Sequence, residues 1–185
     1  MSLWGNDIKP KNLTDAEKKE VYATKQGWVR EAGSILSGNG NTSADPEVLV
    51  AISNLSANMG AANITEIEFV TTSFDKSDGG NIDVRVRFNE PVTVTGTPQL
   101  TITNDTPSRN LTADYLSGST TNELIFRETI AAANAATNAG DVLSIGANAT
   151  ALNSGTIKDT GEGTTAVITN SSAIGTAAGT ITVSA

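Results

Sequence analysis

The sequence predicts a mainly β protein, an antiparallel β-sandwich carrying a small N-terminal arm and hairpin element. Three observations lead there. Short stretches alternate apolar with polar side chains, the period of a strand buried on one face. Turn residues separate these stretches at regular spacing, as in Asp78-Gly79-Gly80-Asn81, Gly96-Thr97-Pro98 and Ser117-Gly118-Ser119. Threonine, whose β-branch suits a pleated surface better than a helix, occurs 26 times in 185 residues.

In chain order, Thr14-Asp15-Ala16-Glu17 has capping-box form, with Thr14 as N-cap and Glu17 at N3. It predicts a helix of about two turns from Asp15 toward Val21, with too little apolar stripe to stand alone. Trp28-Val29 and Val48 to Ile52 read as a strand pair around a polar loop, with Trp28 packed on Val48, Val50 and Ile52. The small residues from Asn58 to Asn63 read as a connection between two units, residues 1–60 and residues 64–185.

In the second unit, Ile82-Asp83-Val84-Arg85-Val86-Arg87-Phe88 alternates strictly. That buries Ile82, Val84, Val86 and Phe88 and leaves Asp83, Arg85 and Arg87 wet, a segregation no helix achieves. Ile67 to Phe69, Val92 to Val94, Leu100 to Ile102, Leu111 to Tyr115, Leu124 to Phe126 and Ile181 to Val183 repeat the pattern. Val142 to Ile145 and Ala166 to Ile168 repeat it more weakly. Pro91 and Pro98 are expected at strand ends or on an edge. Alanine-rich Ile130 to Gly140 reads as a loop holding about one helical turn.

Composition removes several chemistries. The chain has no Cys and no His, which excludes disulfides, thiolate nucleophiles, His-ligated metals and a Ser-His-Asp triad. No catalytic residue and no cofactor are expected. With 12 Lys+Arg against 20 Asp+Glu the formal net charge is −8, and nucleic acid, which needs a concentrated basic face, is not an expected partner. The acid is unevenly placed: residues 1–60 carry six basic and seven acidic side chains, residues 61–185 six and thirteen. No apolar run approaches the ~20 residues that cross a bilayer, so no membrane partner is expected. MSLWGNDIKPKN lacks a basic stretch followed by an apolar one, so synthesis in a cytoplasm is expected.

Few residues suggest a site. Asp75, Asp78, Asn81 and Asp83 form an acidic, Gly-containing turn whose oxygens offer a weak calcium candidate, although their spacing is not that of an EF-hand. A solvated hairpin loop is the weightier reading. Asp159, Gly161 and Glu162 repeat the case more weakly. Glu66 with Glu68, or Glu123 with Glu128, offer carboxylate pairs of the glycosidase kind. Glu66 and Glu68 alternate with apolar neighbours, so they are expected on a wet face, and an enzyme is not. Tyr115 shares parity with Leu111 and Ala113 and is expected in the core. Lys9, Lys11, Lys18, Lys19 and Lys25 make the first thirty residues basic, which serves either a solvated face or docking to an acidic surface.

MSLWGND and KPK, followed by GWVRE, a Gly-rich loop and EVLVAISNL, span roughly residues 1–56. Their order resembles the N-terminus of virion structural proteins of marine, T4-like tailed phages that infect cyanobacteria. VRVRFNEPVTVTGTPQLTIT (84–103), TADYLSGSTTNELIFRETI (112–130) and ALNSGTIKD (151–159) resemble the bacterial immunoglobulin-like repeats of surface adhesins. The second resemblance implies an immunoglobulin-like sandwich and surface display; it implies no chemistry. The first implies a shared attachment element bearing a variable outer module. The expectation is a capsid decoration (cement) protein on the head exterior, with the major capsid protein as partner and self-association on the same lattice. The alternative is a tail, neck or fibre component, or a module adhering to host-surface glycan. Leu3, Trp4, Ile8, Lys9 and Lys11 are the expected partner-binding residues, since buried aromatics dominate such interfaces.

Overall fold

The structure is a computed structural model, and it describes residues 10, 13–34 and 40–185. The expected anchors Leu3, Trp4, Ile8, Lys9 and Lys11 lie outside the described residues.

The capping box forms. Glu17 N donates to Thr14 Oγ1 at 3.2 Å, and Thr14 N donates to Glu17 Oε2 at 2.8 Å, starting α1 (Asp15–Lys19). The helix ends there instead of running toward Val21. Val21-Tyr22-Ala23-Thr24, rich in β-branched and aromatic side chains, pairs as β1 (Val21–Thr24) with β2 (Gly27–Arg30) through a two-residue turn. Gly27 sits at φ 135°, and a Cβ there would lie 2.0 Å from the Val50 carbonyl oxygen. β3 (Glu47–Ala51) pairs with β2, as expected, and α2 (Leu55–Met59) closes the element.

Trp28 is buried with Val21, Ala23 and Leu55, and Leu49 and Ile52 pack half-buried against them. Of the partners expected for Trp28, Val48 and Val50 stand in solvent instead, 46% and 39% exposed. The reason is parity: a strand that turns Leu49 toward the core turns both of its neighbours away.

The connection into the second unit is tight, with Ala62 fully buried. Asn63 N donates to Asn89 Oδ1 at 2.7 Å, and Asn89 N donates to the Asn63 carbonyl at 3.0 Å. There follow β4 (Ile64–Phe69), β5 (Phe74–Asp75), β6 (Gly80–Thr95), β7 (Gln99–Asn104), β8 (Leu111–Ser117) and β9 (Thr121–Ile130). The chain finishes with β10 (Val142–Ser144), β11 (Thr150–Ala151), β12 (Thr156–Asp159), α3 (Ser172–Ala177) and β13 (Thr180–Ser184).

Strands β7, β8 and β9 follow one another as antiparallel neighbours and β6 lies beside β9, the Greek-key order of sandwich folds. β4 and β12 pair along β6, while β10 and β11 pair along β7. β13 joins β10, and β5 pairs with β13 in parallel. The layers enclose one core, to which almost every strand contributes, with Ile67, Ile82, Val84, Phe88, Leu100, Phe126, Leu143 and Ile181 at its centre. The protein is thus a mainly β sandwich with a small N-terminal element.

Some local expectations change. Residues 82–88 and 92–94 are one strand, and Pro91 lies inside it. The β6–β9 register shifts between Arg87 and Val92, and at such a bulge a missing N–H breaks no ladder bond. Ala166 to Ile168 makes one isolated bridge, Val167 with Asn63, and no strand. Residues 131–140 are a loop of turns without a helical turn. Tyr115 is half-buried, edge-on to Phe126 at 6.1 Å between ring centroids, and its hydroxyl accepts from Ser119 N at 2.9 Å.

Candidate functional site

The polar side chains of β6 generate the principal charged feature. Register sets Arg87 directly across from Glu66 on β4 and from Glu123 on β9, and sets Arg85 across from Glu68. Cross-strand neighbours of opposite charge attract, so a row of ion pairs follows from the pairing alone. Arg87 Nη1 donates to Glu66 Oε2 at 2.8 Å and Arg87 Nε donates to Glu123 Oε1. Arg85 Nε donates to Glu68 Oε1 at 2.6 Å. Further along, Arg127 grips Asp83 with two bonds of 2.7 Å.

The N-terminal element covers one end of this row. Arg87 Nη2 donates to Glu31 Oε1 at 3.2 Å, and Lys19 Nζ lies 2.6 Å from Glu66 Oε1. The Arg87 side chain is left 7% exposed and that of Glu66 8%, whereas Arg127 keeps 37%. Glu66 and Arg87 were both expected on a wet face. The parity was right, but residues of α1 and the segment after β2 sit on that face and seal it.

Electrostatics follow from the crowding. Burial raises Glu66, but hydrogen bonds from Lys19 and Arg87 outweigh it and hold its carboxyl below the usual range. Burial opposes the charge on Arg87, yet Glu123, Glu31 and Glu66 more than restore it. Glu31 goes the other way. Burial, then the charge of Glu123, push it up to about 7. A polar cavity of about 510 Å³ opens beside this group, with Glu20, Glu31, Ser34, Arg85 and Glu123 on its wall.

A second feature was not legible in the sequence. At the β6 bulge the alternation breaks and Arg87 through Glu90 are all buried. Glu90 is fully buried, neither of its carboxyl oxygens meets a donor, and Asp159 Oδ2 is likewise without one. The Glu90 and Asp159 carboxyls lie within hydrogen-bond reach of each other. Burial first, then the charge of Asp159, raise Glu90 to about 8. The other oxygen of Asp159, Oδ1, accepts from Gly161 N and from Glu162 N, the latter at 3.1 Å. The FNEP segment offered no signal for this, because a bulge cancels the parity on which burial is read.

The weak calcium candidate is not assembled. Asp75 accepts from Ser77 N at 2.8 Å and Ser77 Oγ at 2.6 Å, Asp83 is held by Arg127, and Asn81 accepts from Thr129 Oγ1 at 2.8 Å. Among the described residues no group of three or more His, Cys, Asp or Glu gathers as a metal site, and no helix is long and apolar enough to cross a membrane.

The third feature is β3. It ends the three-stranded sheet β1–β2–β3, with no described strand on its outer edge. Leu49 alone of its five residues is half-buried, and Val48 and Val50 are bare. Lys19, counted among the docking cations, is spent on Glu66. In comparison with known proteins, no family model, no curated protein and no solved structure matches this chain.

Proposed function

We propose that this chain is a virion structural protein, a capsid decoration protein that mounts through its N-terminal element and displays the sandwich outward. The observation that carries the reading is the division of labour inside residues 13–60. One side of that element is fixed to the sandwich by Glu31–Arg87 and Lys19–Glu66, and β3 has no described strand on its outer edge and leaves Val48 and Val50 exposed. An open strand with bare valines is a liability for a free monomer and an asset for a subunit that docks. Many weakly held copies on a symmetric lattice add stability by mass action and avidity. The major capsid protein is the proposed partner, self-association on the lattice adds to it, and the proposed location is the capsid surface.

Quantitative gel densitometry of purified particles tests this. A copy number that tracks the major capsid protein supports decoration. A handful matching the symmetry of the tail or neck replaces it with a tail component, and absence from the particle ends the virion reading. Deleting residues 1–12 is expected to abolish incorporation while the sandwich stays folded by circular dichroism.

A further inference from the structure

We propose that Glu31 is a proton-operated latch between the two units: neutral, it holds the N-terminal element on the outer face of β6, and ionised, it lets that element come away from the sandwich. The argument starts from how one guanidinium is shared. Arg87 meets carboxylates from three places in the chain: Glu66 on β4 at 2.8 Å, Glu123 on β9, and Glu31 just past β2 at 3.2 Å. Glu66 and Glu123 belong to the sandwich and stay with Arg87 when the element moves. Glu31 is fixed to the element, because its own N donates to the Glu20 carbonyl at 2.9 Å, one rung beyond the β1–β2 ladder.

The groups around Glu31 do not balance its charge. From the element, Lys19 is engaged by Glu66, and Glu20 lines the same cavity as Glu31. Burial, then the charges of Glu31 and Glu123, raise the Tyr22 hydroxyl on β1, so it stays neutral. From the sandwich, Arg85 is divided between Glu68 and Glu123, the latter at 3.6 Å, and Arg87 already holds Glu66 and Glu123. Glu20, Glu31, Glu66, Glu68 and Glu123 thus share Lys19, Arg85 and Arg87, and carboxylates outnumber cations in a half-buried seam. One proton relieves the excess. Glu66 and Glu123 each face two cations, whereas Glu31 has the longest of the Arg87 bonds, so the proton settles on Glu31.

Burial and the charge of Glu123, which push Glu31 up to about 7, agree with that placement. The cavity of about 510 Å³ beside it gives water and protons a path. A neutral Glu31 still accepts from Arg87 and no longer repels Glu123. Once ionised, it sets the element's negative charge against that of β9, and the small core around Trp28 is a weak restraint. The latch is therefore fully closed below the ordinary value of 4.5 and is released as pH rises through about 7.

Hydrogen exchange of the full chain, with rates corrected for the intrinsic effect of pH, reads the opening. Amides of β1 and β2 should lose roughly fiftyfold in protection between pH about 5 and about 8, and at pH about 8 should be less protected than those of β7 and β8. Glu31→Gln, a permanently neutral latch that keeps the Arg87 contact, should remove the loss. Glu123→Gln should shrink it, and Glu47→Gln, an exposed carboxylate on β3, should leave it intact. Protection in β1 and β2 that is flat with pH overturns the proposal, as does a loss that persists in Glu31→Gln or disappears in Glu47→Gln. Equal protection of β1–β2 and β7–β8 at pH about 8 also overturns it, because the element then opens only with the whole protein.

Discussion

The protein contains two hydrophobic cores of very different means. Among the described residues the sandwich core gathers 23 buried apolar side chains, and the core of the N-terminal element gathers four, Trp28 among them. Four cannot offset the ordering entropy of a unit of that length. The smaller unit therefore takes its place from the larger, through β1 lying against β6 and through ion pairs. What the difference teaches is that the outer face of a sandwich strand can serve as a mount. The same alternation that gives β6 its buried valines gives it the arginines that hold the element down.

The strongest way to break the comparison is to cut the smaller core. Trp28→Ala is expected to cost about 3–5 kcal/mol in the N-terminal element while the sandwich keeps its near-native hydrogen-exchange protection. If both units lose protection together, they are one cooperative body and the contrast fails. Arg87→Met comes next. It leaves Glu66, Glu31 and Glu123 facing one another, and about 3 kcal/mol of stability should be lost in a urea titration. A loss under about 1 kcal/mol would place the attachment in the β1–β6 packing instead.

Proton linkage sharpens the picture at the next level. Glu31 and Glu90 have folded values near 7 and 8, above their ordinary value of 4.5. The folded state binds the extra protons, so their contribution is full below the ordinary value and is lost as pH rises through the folded values. Stability should fall by on the order of a few kcal/mol between pH about 5 and about 8. Glu31→Gln should remove the lower part of that slope and Glu90→Gln the upper part, each read by denaturant titrations across pH. Glu66 has the opposite sign, and below its ordinary range its protonation should erode the seam. Thr14→Ala removes the cap of α1 and should cost about 1 kcal/mol. The smallest effect is expected at the bare strand, where Val48→Thr with Val50→Thr should change stability by under about 0.5 kcal/mol, but should lower particle incorporation. Unchanged loading would remove β3 from the docking surface.

Much of this was legible and some was not. The strict alternation of residues 82–88 gave the buried set of β6 correctly, because period-2 patterning is a direct image of one buried face. The same pattern gave the polar parity of Arg87 and Glu66, yet nothing local reports that another part of the chain will cover a wet face. Glu90 was invisible for a different reason: at a bulge two successive residues turn inward and the pattern loses its phase. α3, SAIGTA, carries too little apolar periodicity to be read before its place beside β4 is known. Val48 and Val50 look like core in the sequence, and only the inward placement of Leu49 makes them surface.

The parallel pairing of β5 with β13 has a mechanical consequence. Val183 lies beside Phe74 and Ser184 beside Asp75, and Lys76 N and Ser184 Oγ add bonds at the same seam. Tension drawn from the N-terminal element toward the last strand pulls these two strands along their length in opposite directions. All of their bonds then bear load together and must rupture at once, whereas a hairpin pulled from its open end peels one rung at a time. A sandwich laced in this way resists stretching at its own seam.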